Sequence, residues 1–257
     1  MTEEYILETR GLTKEFRGFT AVDNINLKVR EGHIHALIGP NGAGKTTVFN
    51  LLTRFLPSTR GEILFRGKPI TRRKASDIAR LGMVRSFQIS AVFGHMTALE
   101  NVRVALQRRL GTSFHFWKSE RSLEPLNEQA MALLEEVGLR GYADVLTVEM
   151  PYGRKRALEV ATTMALEPPL MLLDEPTQGM GAEDVDRIVE LIRRVSAGRT
   201  VLMVEHNLSV VSRLCDRITV LARGSVLAEG DYESVSRDPL VREAYMGSEA
   251  VVEEGGA

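Results

Sequence analysis

The stretch Gly39-Pro40-Asn41-Gly42-Ala43-Gly44-Lys45-Thr46 decides how the rest of this chain is read. It fits the pattern GxxxxGK[ST], directly after an apolar run, Ile34 to Ile38, and before the helix-like segment VFNLLTRF. That flanking context, strand before and helix after, gives the pattern its meaning as a phosphate-binding loop. Glycines let the backbone bend so that successive N–H groups face phosphate oxygens, and the helix N-terminus adds positive potential. In this reading Gly39, Pro40, Asn41, Gly42, Ala43, Gly44, Lys45, Thr46 and Thr47 line a nucleotide's phosphates. Lys45 reaches the β- and γ-phosphates and the Thr46 hydroxyl ligates Mg²⁺. From average residue frequencies a chance match in a chain of this size is on the order of one in a hundred, before the flanks are counted.

Outward from the loop, a second apolar run, Leu170-Met171-Leu172-Leu173, ends in Asp174-Glu175. Acids closing an apolar strand are common. Beside a phosphate loop they acquire roles: Asp174 in the Mg²⁺ shell, Glu175 positioning or deprotonating the attacking water. Further runs, Asn26 to Val29, Ile63 to Phe65, Val201 to Val204 and Ile218 to Leu221, also read as strands. Helix-period segments lie between several of them, such as Val185 to Val195 with Val185, Ile188, Val189, Ile192 and Val195 on one face. The pattern predicts an α/β fold: a mainly parallel sheet covered on both sides, with an antiparallel N-terminal β part and an inserted helical lobe. We expect one domain, its core formed by residues 1–88 and 167–246, the lobe by 89–166, and a mobile polar tail at 247–257. The pieces GEILFRGKPI and ITVLARGSVLAEG read as hairpins turning at Gly67 and Gly224.

Composition limits the partners. The 257 residues carry a formal net charge of -1, which gives no electrostatic footprint for nucleic acid. No window approaches the ~20 consecutive apolar residues of a membrane span, and the opening MTEEYILETR lacks the features of a secretion signal. A cytoplasmic chain is expected, reaching any membrane through a partner. The single cysteine, Cys215, fits a small buried residue and excludes an intrachain disulfide.

With these motifs in order, the chain resembles the ABC ATPase family over roughly residues 5 to 246. The resemblance implies an ATP hydrolase and assigns four more elements. Phe16, in TKEFRG, stands where the family places an adenine-stacking ring, a contact worth roughly 1 to 3 kcal/mol; the plainer reading is a half-buried strand residue. Gln88, in VRSFQIS, is similar to the glutamine that senses Mg²⁺ and the γ-phosphate, and His206, after VLMVE, to the switch histidine. The other histidines, His33, His35, His95 and His115, suit structural or surface roles. Met150-Pro151-Tyr152-Gly153-Arg154 occupies the place of the family signature, usually LSGGQ, which clamps the ATP of a second cassette; Tyr152, Gly153 and Arg154 would act there in trans. Pro151 replaces the serine, Arg154 the glutamine, and Gly181 stands where the family has a coupling aspartate, so the efficiency of hydrolysis is in question. Arg154 could add charge near the phosphate or turn to solvent.

Within the family, Tyr152, the string HMTALENV and the ending LAEGDYESVSRDPLVREAYMG resemble cassettes of branched-chain amino acid importers. That resemblance implies a second cassette, identical or different, two membrane-spanning permease subunits and an extracytoplasmic binding protein. It places the chain on the inner face of the cell membrane and implies a branched-chain amino acid or a related small solute as cargo. A cassette of a lipid or lipopolysaccharide exporter is the nearest alternative. A phosphate-loop kinase or GTPase would need neither the signature nor Gln88 and His206, and ABC proteins of translation usually carry two phosphate loops where this chain has one. Phe114, Phe116 and Trp117 suit either packing within the lobe or contact with a membrane subunit.

Overall fold

Side chains along Leu170–Asp174 point alternately to opposite sides, and both sides are apolar: Met171 and Leu173 enter one core, Leu170 and Leu172 the other. Ile34–Ile38 divides in the same way, Ala36 and Ile38 against Leu37, and Thr200–Val204 divides Met203 against Leu202 and Val204. Strands buried on both faces have no alternating polar phase, which is why they stand out in the sequence as near-continuous apolar runs, with His35 the one polar residue inside Ile34–Ile38. The computed structural model describes residues 5–86, 92–109 and 126–245.

The elements run β1 (Tyr5–Phe16), β2 (Phe19–Ile25), β3 (Lys28–Arg30), β4 (Ile34–Ile38), α1 (Lys45–Leu52), β5 (Arg60–Phe65), β6 (Lys68–Pro69), α2 (Ala75–Arg80) and β7 (Met83–Ser86). Then come α3 (Ala98–Arg109), α4 (Asn127–Glu136), α5 (Tyr152–Met164), β8 (Leu170–Asp174), α6 (Ala182–Val195) and β9 (Thr200–Val204). The chain closes with α7 (Leu208–Leu214), β10 (Arg217–Ala222), β11 (Ser225–Gly230) and α8 (Tyr232–Arg237). The main sheet has the order β11-β10-β4-β9-β8-β7; its neighbours are parallel except for the β10–β11 hairpin. A second, antiparallel sheet has the order β2-β1-β5-β6, with β3 also pairing β1. It closes one core with α1, while α3 to α7 close the other.

The α/β expectation, with its parallel sheet and antiparallel N-terminal part, is borne out, and Gly67 and Gly224 do turn hairpins, at φ of 69° and 84°. Three strands escaped the sequence reading. β1 is 12 residues long but breaks alternation: Gly11 sits at positive φ and the pairing with β2 and β5 shifts register around it. β2 carries polar residues on its exposed side, and β7 holds a charged residue, Arg85, mid-strand. Cys215 is half-buried against the core, its thiol pushed up to about 12 by burial. Among the described residues no helix is long and apolar enough to cross a membrane.

His35 shows how a polar group is accommodated inside this sheet. Its Nε2 lies 2.8 Å from the Thr219 hydroxyl, which donates in turn to Glu229 at 3.1 Å. Burial, with the positive charge of Arg217 second, lowers its pKa to about 3 from 6.5. The folded protein therefore binds fewer protons here than the unfolded chain between those values, and stability falls as pH drops below 6.5. Compared by urea denaturation across that window, the wild type should lose about 1.4 kcal/mol per pH unit relative to His35→Gln. Parallel decline of both proteins would show that His35 is not the titrating group.

Candidate functional site

The loop between β4 and α1 approaches other backbone too closely for side chains. Gly39 has φ of 150°, and a Cβ on it would collide with the carbonyl of Leu221 on β10. A Cβ on Gly44, at φ of 100°, would sit 2.8 Å from the Ala21 carbonyl oxygen on β2. Backbone bonds fasten the same contact: Gly224 N–H donates to Ala43 O at 3.1 Å, and Asp23 N–H to Gly224 O at 2.8 Å. Gly44 caps α1 without a side chain, and the first turn of α1 contains no acid. The amides at this helix start thus have neither a capping oxygen nor a competing carboxylate, an arrangement suited to an anion.

Lys45 folds back over the loop, its Nζ donating to Gly39 O at 2.6 Å and Pro40 O at 3.0 Å. Burial lowers its pKa, and the negative charge of Glu175 opposes that shift. Parallel pairing of β4, β9 and β8 ends these strands at one sheet edge, and so gathers Lys45, Asp174, Glu175 and His206. Asp174 is buried; Glu175 is half-buried at φ of 46°, its N–H donating 2.9 Å to Val204 O. His206 is exposed, as are Thr46 and the Phe16 ring, which is 45% exposed at the end of the β1–β2 hairpin. The Lys14 ammonium lies 5.0 Å from that ring's centroid. Gln88, Phe114, Phe116 and Trp117 lie outside the described residues.

The segment Pro151 to Arg154 belongs elsewhere. Pro151 is the N-cap of α5, and α5 packs on α3, α4, α6 and β7. The amides of Arg154 and Lys155 are spent on the Pro151 carbonyl at 3.0 Å each. Arg154 is half-buried, its guanidinium 5.4 Å from the Tyr142 ring centroid and 3.5 Å from Gly138 O. The Asp184 carboxylate packs against Gly153, its carbon and two oxygens 3.0 to 3.2 Å from where a Cβ would stand, and pairs with Arg187 at 3.5 Å. Gly181 is the N-cap of α6.

Two functional neighbours were missed from sequence. Arg85 on β7 pairs its guanidinium with Asp174, donates to Asn50 Oδ1 on α1 at 2.6 Å and stacks 5.6 Å from the Phe49 centroid. Glu205, wholly buried at the end of β9, joins the loops after β8 and β9. The signal for both is a charge inside or at the end of an apolar run, which by itself cannot say what it meets.

Two family models match the chain: "ABC transporter" over residues 22–178 and "Branched-chain amino acid ATP-binding cassette transporter" over residues 225–251. The high-affinity branched-chain amino acid transport ATP-binding protein BraF of Pseudomonas aeruginosa is 41% identical, over 94% of this chain and 98% of that protein. The counterpart LivG of Escherichia coli K12 is 37% identical over 94% and 98%. Among solved structures, an ATP-binding cassette of an ABC transporter in its ADP conformation superposes with a TM-score of 0.83 at 30% identity, over 95% of this chain and 99% of that one.

The Arg85–Asp174 pair generates a direct test. Removing one partner of a buried pair leaves an uncompensated charge, so Arg85→Met should cost about 3 to 5 kcal/mol in urea denaturation. The double variant Arg85→Met/Asp174→Leu, which removes both charges, should recover most of that loss. A single variant within about 1 kcal/mol of wild type would mean the pair is no structural tie.

Proposed function

Because the chain belongs to the ABC transporter family as an ATP-binding, ATP-hydrolysing cassette, we propose that it energises import of branched-chain amino acids or a related small solute. The observation that carries the proposal is the meeting of a glycine-built anion loop, a lysine, two carboxylates and a histidine at one sheet edge. In this reading the loop of residues 39–47 holds the phosphates through its backbone N–H groups, Pro40 having none to give, Lys45 turns its ammonium from the loop carbonyls to the β- and γ-phosphates, and Phe16 stacks on adenine. Glu175 takes the proton of the attacking water, while His206 and Gln88 report the γ-phosphate.

The donors present suit Mg²⁺. Among the described residues no group of three or more His, Cys, Asp or Glu side chains forms a metal cage, and Mg²⁺ is normally held by one or two carboxylates together with substrate phosphates and neutral oxygens. Thr46, Asp174 and Gln88 would supply those oxygens, and the ion would neutralise charge on the transferring phosphate. Asp174 is already fixed by Arg85, which holds its carboxylate at the strand end in advance.

We further propose that Tyr152, Gly153 and Arg154 serve the ATP of a second cassette, and that two permease subunits carry the pair on the inner membrane face with an extracytoplasmic binding protein. The phosphate loop is fastened to β2 and to the β10–β11 turn, whereas α5 is held by α3, α4, α6 and β7, and this supports division of each site between two chains. Pro151 lacks the hydroxyl and N–H of serine, Arg154 packs on Tyr142, and the Asp184 carboxylate stands beside the helix start. All three weaken an anion clamp, which favours a heteromeric pair with one strong and one weak site.

Lys45→Ala should abolish hydrolysis and weaken nucleotide binding, whereas Glu175→Gln should keep ATP bound and slow hydrolysis about 100-fold or more. Filter binding and phosphate release separate the two, and unchanged turnover in either variant would remove that residue's role. The chain alone should hydrolyse ATP slowly, and addition of its second cassette and permease subunits should raise the rate. Pro151→Ser should preserve or increase turnover of that assembly; robust ATPase by a homodimer, abolished by Pro151→Ser, would reverse the assignment of the weak site.

A further inference from the structure

Glu205 has no exposed surface, and among the described residues it meets four hydrogen-bond donors, accepting from each. Its Oε1 accepts from the Thr177 backbone N–H at 3.1 Å and from the Thr177 hydroxyl at 2.6 Å. Its Oε2 accepts from the backbone N–H groups of His206 at 3.1 Å and Asn207 at 3.2 Å. Thr177 lies two residues beyond Glu175 in the loop leaving β8, and His206 opens the loop leaving β9. One side chain thus fastens together the two loops that carry the water-directed carboxylate and the histidine.

The arrangement needs such a fastening. Glu175 adopts a φ of 46°, a left-handed conformation uncommon for a residue with a side chain, and its N–H is directed to Val204 O, immediately before Glu205. A turn of that kind persists only where its surroundings over-determine it. The donors around Glu205 also specify its chemistry: a carboxylate is acceptor-only, whereas a glutamine would turn an NH₂ group toward one pair of donors. Beyond His206, Asn207 caps α7 by accepting from Ser209 and Val210 N–H, so the far side of the same loop is anchored as well.

We infer that Glu205 is a positioning residue for ATP hydrolysis: with Thr177 as its partner across the gap, it sets the position of Glu175 relative to His206. The inference rests on the proposed roles of those two residues. It assigns Glu205 no contact with ATP and no proton transfer.

The test measures ATP affinity and single-turnover hydrolysis for the chain assembled with its second cassette, comparing Glu205→Gln, Thr177→Val, Thr177→Ser and Glu175→Gln. Glu205→Gln should slow hydrolysis about 30-fold while ATP affinity moves less than about threefold, the signature of an interaction that matters after binding. Thr177→Val, which loses the hydroxyl and keeps the N–H, should slow hydrolysis about tenfold, and Thr177→Ser should stay within about twofold of wild type. In Glu205→Gln the amides of Thr177, His206 and Asn207 should also exchange with solvent faster as a group. A group that only kept the chain folded would instead lower affinity, melting temperature and rate together, and that result overturns the inference. So does near wild-type hydrolysis in both Glu205→Gln and Thr177→Val while Glu175→Gln is inactive. Wild-type hydrolysis by Glu175→Gln would instead overturn the functional reading beneath it. If Glu205→Gln does not fold, the contrast between Thr177→Val and Thr177→Ser decides.

Discussion

Parallel hydrogen bonding of β4 to β9 and of β9 to β8 sends three strands out of the sheet at the same edge, and the chemistry of the molecule depends on that register. β4 delivers the glycine loop and Lys45, β8 delivers Asp174 and Glu175, and β9 delivers Glu205 and His206. Residues more than 150 positions apart in sequence meet because Leu37 pairs with Val204 and Asp174 with the same Val204. The strands can hold this alignment because both faces are buried. A register slip by one residue would exchange the side chains facing the two cores and would also carry each terminal residue away from its neighbours.

The same edge is where the fold accepts local cost. Gly39 and Gly44 occupy conformations and approaches that exclude a Cβ, so two positions of the loop give up side-chain packing. Glu175 takes a left-handed φ, and Asp174 is buried with a guanidinium as its counter-charge. A buried ion pair adds little net stability over an apolar pair of similar size. Its value here is geometric: Arg85 joins β7, β8 and α1 through Asp174 and Asn50, which ties the Asp174 carboxylate to the helix that follows the phosphate loop. Concentration of such features at one site, against an otherwise regular two-sided core, is what stored strain at a functional centre looks like.

Legibility in the sequence followed the physics of each element. The fully buried strands were visible because polar residues hardly interrupt them, His35 in β4 being the exception, and the phosphate loop because a tight approach of backbone to anion demands glycines at fixed spacing. β1 was hidden by its bulge at Gly11, and β7 by Arg85, whose partner lies 89 residues away in the chain. Glu205 looked like the polar end of a strand; only the positions of Thr177 and His206 reveal that its carboxylate faces donors alone. The fate of Arg154 was equally out of reach, because it is decided by Tyr142 and the Gly138 carbonyl in the neighbouring helical segment. Local chemistry was readable where backbone geometry dictated residue type. It was unreadable where two distant side chains had to meet.

The account stands on the claim that hydrolysis at this sheet edge powers inward movement of a small apolar amino acid. The most direct measurement is uptake of labelled leucine into vesicles reconstituted with the cassette pair, its permease subunits and its binding protein, with ATP supplied on the cassette side. The account predicts uptake that requires hydrolysable ATP and the binding protein and stops when Glu175→Gln replaces the native chain. Outward movement of cargo, or uptake that continues with Glu175→Gln, would contradict it.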